Sequence, residues 1–326
     1  MTHAPIILFV YARPDHTWQT LEALSSNTLA QESDLFIYAD GPKANASEEQ
    51  RERIRQTREV ARSRQWCRTI TVIESDMNKG LAASIISGVT ETVNRYGKVI
   101  VLEDDIVTGK YFLEYMNEAL ERYESEKQVW EITGFRFPVK SQKPESSFFS
   151  SIPSCWGWAT WADRWKFLNK DALYFKTIFT KRMIWEFNID GSSPGNWTQV
   201  EQNLAGKINT WAVFWAATIY LNKGLILTPC KSLVNNVGFD NSGENCGKAK
   251  WSVLMDSINQ YPITNYPANV ELDSLEFDSD KRFRKNITRN ERVSRIVFFI
   301  PGLVLSFLKL LIPKKTTRNI QMSILT

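Results

Sequence analysis

Just after Gly97, an unbroken apolar segment, Val99-Ile100-Val101-Leu102, runs straight into three carboxylates, Glu103-Asp104-Asp105. No polar residue alternates within it, so the segment predicts a strand buried on both faces, as in a parallel sheet covered by helices. Three similar segments precede it: Pro5 to Tyr11, Asp34 to Ala39 and Thr69 to Ile73. Helical patterns separate them, over Thr17 to Leu24, from Ser47 to about Arg64, and from Leu81 to about Arg95. Strands alternating with helices over about 100 residues predict right-handed βαβ units and an α/β fold with a mostly parallel sheet.

Each predicted strand ends in a polar cluster: Ala12-Arg13, Asp40-Gly41, Asn78-Lys79-Gly80 and Glu103-Asp104-Asp105. In open α/β sheets ligands sit beyond the carboxyl ends of the strands, so these clusters share a candidate rim. Three adjacent carboxylates repel one another, and a divalent cation with a taste for oxygen, Mg²⁺, Mn²⁺ or Ca²⁺, relieves the conflict. The plainer reading of the triplet is a solvated acidic turn. An arginine and a lysine suit a diphosphate, and an aspartate suits a base or ribose. No glycine-rich dinucleotide fingerprint and no phosphate-binding loop is present. A phosphatase reading of the triplet fails, because Glu103 stands where the aspartyl nucleophile should be.

Composition narrows the chemistry. Only His3 and His16 are histidines, which disfavours a histidine metal cage or a Ser-His-Asp triad. Cys67, Cys155, Cys230 and Cys246 lack the paired spacing of a zinc site. The apolar Pro5 to Val10 has no basic stretch before it, so no signal peptide is expected and a cytoplasmic location is the default. The net charge of +4 is uneven: from Lys281 onward eleven Lys/Arg face one acidic residue, Glu291, which leaves the first 280 residues at −6. A body of that sign gives no reason to expect a nucleic-acid partner.

The ordered set of a strand ending in Tyr-Ala-Arg-Pro, a strand ending in Asp-Gly, Asn-Lys-Gly-Leu opening a helix, and Val-Leu-Glu-Asp-Asp resembles the GT-A glycosyltransferases. It looks closest to the bacterial family 2-like enzymes and to N-acetylglucosaminyltransferase I, over roughly residues 4 to 247. The resemblance implies a mixed, mostly parallel, Rossmann-like sheet flanked by helices. It implies that Asp105 binds Mn²⁺ or Mg²⁺ bridging two phosphates, and that Asp104 and Glu103 orient sugar and ribose hydroxyls. Arg13, with Ala12, would lie near the nucleotide, Asp40 would bond the pyrimidine, and Asn78 and Lys79 would complete the donor site.

Of twelve tryptophans, eight lie between Trp156 and Trp215. In Trp156-Gly157-Trp158-Ala159-Thr160-Trp161 the spacing fits neither a surface helix nor a half-exposed strand. Tryptophan faces stack on the apolar faces of sugars, and their N–H groups add direction; the plainer reading is a tryptophan-rich core. The resemblance implies that Trp156 and Trp158 line the donor-sugar and acceptor side. Helices are predicted from Asn196 to Leu204 and from Thr210 to Leu221. In the enzymes it resembles, a catalytic acid often lies near the start of the second helix, but here that position offers only Asn209, Ala212 and Val213. The candidate bases are therefore Glu201, Asp240 and Asp163. Their plainer readings are a helix-face charge, a turn residue and a helix cap. The polar run Asn235 to Gly243 suits a loop that closes over a ligand.

Ile296 to Leu308 is uncharged, contains Pro301-Gly302 and is flanked by basic residues. It falls short of the about 20 apolar residues that span a bilayer. An interfacial segment, peripheral on the inner face of the cytoplasmic membrane, is the expectation; the alternative is a helix docked on the body or in a dimer interface. The sequence thus predicts a glycosyltransferase domain over 1–250, with a nucleotide half at 1–108 and an acceptor half at 109–250, and a C-terminal extension over 251–326. The expected reaction is metal-dependent, inverting transfer from a nucleotide-diphosphate sugar, with UDP as the expected nucleotide, to a glycan or lipid-linked acceptor in surface polysaccharide synthesis. The alternatives are a sugar nucleotidyltransferase and a glycan-binding protein without activity.

Overall fold

A computed structural model describes residues 3–139, 143–240 and 258–287 of the chain. Its first half follows the predicted alternation: β1 (Ile6–Val10), α1 (Pro14–Ser25), β2 (Asp34–Ala39), α2 (Glu48–Arg62), β3 (Thr69–Glu74), α3 (Leu81–Tyr96) and β4 (Lys98–Glu103). The local reasons are visible in the residues. Pro14 opens α1 at a position where its missing N–H costs nothing. Ser47 caps α2 by accepting a hydrogen bond from the Gln50 N–H. Gly97, at φ 81°, ends α3 in the left-handed conformation that glycine tolerates best.

The second half adds β5 (Ile106–Thr108), α4 (Phe112–Arg122), β6 (Val129–Thr133), β7 (Ser147–Ser150), β8 (Trp158–Trp161), and α5 (Ala162–Trp165). It continues with α6 (Ala172–Ile178), α7 (Lys181–Phe187), α8 (Gly195–Leu204), α9 (Ala212–Leu221), β9 (Leu225–Pro229) and β10 (Val234–Asn236), followed by helix α10 (274–287). Eight strands form one sheet in the order β3-β2-β1-β4-β8-β6-β9-β7, and β10 pairs with β5 in a separate ribbon. The pairs β3–β2, β2–β1, β1–β4 and β6–β9 are parallel, while β8 runs antiparallel to both β4 and β6. This is the mixed, mostly parallel α/β sheet that was expected.

The tryptophan-rich segment resolves as β8, a strand wedged between β4 and β6 and buried throughout. Its side chains serve opposite faces. Trp161 joins the cluster under α1 and α4; Trp158 joins Trp165, Trp211 and Trp215 under α3 and α9. Full burial of large side chains at about 1.5–3 kcal/mol each makes these two clusters the main stabilising masses of the fold. Helices α6 to α9 enclose a third apolar cluster around Phe175, Phe179, Trp197 and Phe214.

Of the expected C-terminal extension, the described residues 258–287 pack against the body. Ile263 is buried in the cluster that contains β1 and α4, and Tyr266 stacks on Tyr115 at 6.2 Å. Helix α10 is tied down by Arg136, which is 1% exposed and bonds Glu276 at 2.6 Å and Asp280 at 3.1 Å. The basic and apolar run from 288 onward, on which the membrane expectation rests, lies outside the described residues, as do Cys246 and the last three residues of the Asn235 to Gly243 loop, 241–243. Among the described residues no helix is long and apolar enough to cross a membrane.

Candidate donor cleft and its acidic centre

The carboxyl ends of β1, β2, β3 and β4 point the same way, and the chain beyond them walls a cleft of about 370 Å³. Ala12, Arg13, Asp40, Asn78, Glu103, Asp104 and Asp105 all line it, together with Tyr38, Arg53 and Ser84. Residues that lie up to 93 positions apart in sequence thus meet at one rim because their strands are parallel neighbours. Lys79 belongs to the same turn without lining the cleft: its N–H bonds Asp40, and its side chain takes no part in the wall.

Charge at the centre is unbalanced. Arg13, the residue that starts α1, bonds Asp104 and places Nη1 2.9 Å from Asp105 Oδ2. Burial alone would lower the pKa of its guanidinium; the two aspartates outweigh that and raise it. Glu103 has no such partner in reach of full compensation. Burial, then Asp105 and Asp104, push it up to about 8. Burial also raises Asp104, against the pull of Arg13. One cation therefore serves three buried or half-buried carboxylates.

Asp40 is used differently from the expectation. Its Oδ1 accepts from the Gly41 and Lys79 N–H groups, both at 2.9 Å, and its Oδ2 accepts from the Asn78 side-chain amide and the Gly80 N–H, both at 3.0 Å. The carboxylate is committed to holding the 78–80 turn against the end of β2, so it shapes the cleft wall through the backbone. Arg53 does the same for the other side by bonding the Ala12 carbonyl at 3.0 Å.

A strap crosses the acidic centre. After β10 pairs with β5, the Val237 N–H bonds the Asp105 carbonyl at 2.9 Å. Gly238 then passes so close that a β-carbon there would overlap Asp105 Oδ2, which is why only glycine fits. Phe239 packs on Trp156 at 5.5 Å, and Asp240 Oδ2 lies 3.2 Å from His16 Nε2.

The three candidate bases are scattered. Asp240 sits on this strap, two residues from the glycine that touches Asp105. Glu201 lies exposed on α8, bonded by the Trp197 indole at 3.2 Å, and lines neither the cleft nor the larger cavity beside it. Asp163 is at the wrong edge. Because β8 runs antiparallel to β4, with Trp161 opposite Lys98, the chain reaches Asp163 at the rim opposite the triplet, where it pairs with Lys127 and Arg164. Trp158 is also displaced from its expected role. It is fully buried, stacked on Trp211 at 5.2 Å, and lines neither space. Trp156 lines the larger cavity.

That cavity holds a carboxylate that the sequence reading missed. Glu131 stands in β6, where a break in register between Val129 and Glu131 lets it face the α9 side together with Trp130. Its two oxygens accept from the Ser154 N–H at 2.9 Å and the Trp215 indole at 2.8 Å. Burial pushes it up to about 8 despite both bonds. The available signal was a single charge in the otherwise apolar Trp130-Glu131-Ile132. Cys155 also lines the larger cavity: burial first, then Glu103 and Glu131, raise its thiol.

The pKa of Glu131 predicts a pH effect. Between its ordinary value of 4.5 and about 8, the folded protein keeps a proton that the unfolded chain releases. Stability from this group is complete below the lower value and is lost as pH rises through the upper one. Chemical denaturation of wild type and Glu131→Gln from pH 5 to 9 should therefore differ in slope. Wild type should lose on the order of 5 kcal/mol that the variant does not lose. Parallel curves would contradict the burial of an ionisable Glu131.

No protein-family profile and no curated protein matches the sequence. Among solved structures, TarS of S. aureus overlaps 71% of this chain and 36% of its own, at 10% identity and TM-score 0.34. This chain therefore spans about a third of the length of TarS. A galactosyltransferase, LgtC, in complex with donor and acceptor sugar analogs, overlaps 54% of this chain and 66% of its own, at 12% identity and TM-score 0.31. A UDP-glucose pyrophosphorylase complexed with UDP-glucose overlaps 51% and 79%, at 10% identity and TM-score 0.28. These partial overlaps assign no role to any residue, and the narrower likeness to N-acetylglucosaminyltransferase I rests on the motifs alone.

Proposed function

We propose that the chain is a nucleotide-sugar-dependent glycosyltransferase of GT-A type that moves a sugar to a glycan or lipid-linked acceptor. The observation that carries this reading is the convergence of Arg13, Asp40, Asn78 and the Glu103-Asp104-Asp105 triplet on one cleft at the carboxyl ends of parallel strands. UDP is the nucleotide the motif resemblance favours.

A divalent cation fits the donor set. Three carboxylates face one guanidinium, which leaves negative charge for a doubly positive ion to balance. Mg²⁺ and Mn²⁺ are commonly held by one or two carboxylates plus substrate phosphates; among the described residues no three His, Cys, Asp or Glu side chains form a cage by themselves. Asp105, with Asp104 beside it, would hold the ion, whose contribution when bound would be to neutralise charge on the departing diphosphate.

The chain's own residues would do the rest. Arg13, held in place by Asp104 and Asp105, would stabilise the diphosphate as it gains charge. Glu103, at the end of β4 and lining the cleft, would bond a sugar or ribose hydroxyl. Asp40 would orient the 78–80 turn that faces the nucleotide. Asp240, two residues beyond the glycine that passes over Asp105, would take the acceptor proton. The acceptor oxygen would then bond the anomeric carbon while the diphosphate leaves with the electron pair of the broken bond, inverting the centre.

A screen of nucleotide sugars tests the proposal. With Mn²⁺ or Mg²⁺ present, at least one UDP-sugar should raise the melting temperature and be slowly hydrolysed to UDP, and chelation should remove both effects. Release of pyrophosphate from a nucleoside triphosphate and a sugar phosphate, with no response to any nucleotide sugar plus acceptor, would instead make it a nucleotidyltransferase.

A further inference from the structure

The larger cavity, about 750 Å³ and roughly twice the donor cleft, is not explained by a nucleotide. Its walls have two characters. Aromatic rings, Trp156 and the 53% exposed Trp185, line it together with the buried Glu131 side chain. Leu272 and Phe277, from α10 and the segment before it, give it an apolar part.

Trp185 is held open at the surface by its surroundings. The turn after α7 places Ile189, Asp190 and Gly191 at φ 54°, 50° and 73°, and a β-carbon at Gly191 would come within 3.0 Å of the Trp185 indole nitrogen. Asp190 in that turn bonds Lys281 of α10 at 3.0 Å. The ring, the turn and α10 therefore form one connected wall. A half-exposed tryptophan that lines a cavity is a platform for the apolar face of a pyranose, and a buried carboxyl group lining the same cavity can bond a sugar hydroxyl.

The apolar wall carries the other half of the argument. Leu272, which lines the cavity, is 38% exposed, and Leu275, three residues on at the start of α10, is 81% exposed. In the sequence the same helix leads into the basic segment and then the uncharged run Ile296 to Leu308. The strap that crosses the acidic centre meets this cavity at one wall residue: Phe239 packs on Trp156 at 5.5 Å.

We propose that this cavity binds the acceptor as an amphiphile, a glycan joined to an apolar chain, with its sugar stacked on Trp185 and bonded to Glu131 and its apolar part along Leu272 and Phe277. The inference rests on the glycosyltransferase reading for the word acceptor, but the binding itself does not need a donor.

Calorimetry on the full chain without nucleotide tests it, with n-octyl β-D-glucopyranoside below its micelle threshold as the probe and glucose and 1-octanol as half-probes. The alkyl glucoside should bind saturably at one site, with each half-probe at least ~10-fold weaker, a difference of about 1.4 kcal/mol. Trp185→Ala, a change at an exposed position, should weaken the alkyl glucoside at least ~10-fold by the same conversion and leave UDP binding unchanged. Octanol binding as well as the alkyl glucoside, or Trp185→Ala binding it like wild type, overturns the proposal. If the alkyl glucoside binds as described while no nucleotide sugar binds at all, the donor reading fails and the carbohydrate site stands.

Discussion

Replacing Arg13 by alanine should cost about 3–5 kcal/mol of folding stability at pH 8, the range for removing one partner of a buried ion pair. The guanidinium is 15% exposed, and its partners Asp104 and Asp105 are 5% and 7% exposed, so the pair is largely buried. The loss should shrink as pH falls. Protonation of the orphaned carboxylates, already drawn upward by burial at Glu103 and Asp104, removes the repulsion that Arg13 now offsets. Added Mg²⁺ should restore part of the stability at pH 8, because the ion would replace the missing positive charge. Arg13→Lys should be intermediate, since it keeps the charge and loses the fork that reaches two carboxylates. Urea denaturation at pH 8 and pH 5.5, with and without Mg²⁺, reads all of these. A loss below about 1 kcal/mol at pH 8, the level of an exposed surface pair, would show that the acidic centre is solvated.

The parallel half of the molecule was legible because its signals are local. Each strand from β1 to β4 is a short apolar run closed by a turn residue, and β2 begins and ends at the predicted residues, Asp34 and Ala39. Once the strands are parallel, the meeting of Arg13, Asp40, Asn78 and Asp105 at one rim follows from topology. What was not legible depended on pairing between distant strands. The Trp156 to Trp161 spacing looked anomalous because β8 is buried on both faces, so alternation carries no information there. Its antiparallel direction, which sends Asp163 to the far edge, is set by its fit between β4 and β6. Glu131 was hidden for a related reason: a register break within β6 decides which way it faces. Asp40 was legible as a cleft residue but not as the acceptor of four hydrogen bonds, which requires the 78–80 turn to fold back onto it. The role of α10 as a wall could not be read from a segment whose composition pointed outward to a membrane.

The central claim is that the acidic centre binds a nucleotide diphosphate through a cation held by Asp105. Titration calorimetry of UDP into wild type and Asp105→Ala, each with Mn²⁺ and with chelator, tests it most directly. Asp104 still pairs with Arg13 in the alanine variant, so the guanidinium keeps a buried partner and the variant should fold. Wild type should bind UDP at least ~100-fold more tightly with Mn²⁺ than without, a difference of about 2.7 kcal/mol. Asp105→Ala should bind it weakly and equally in both conditions. Metal-enhanced binding that survives intact in Asp105→Ala would contradict the assignment, as would wild type that binds no UDP in either condition.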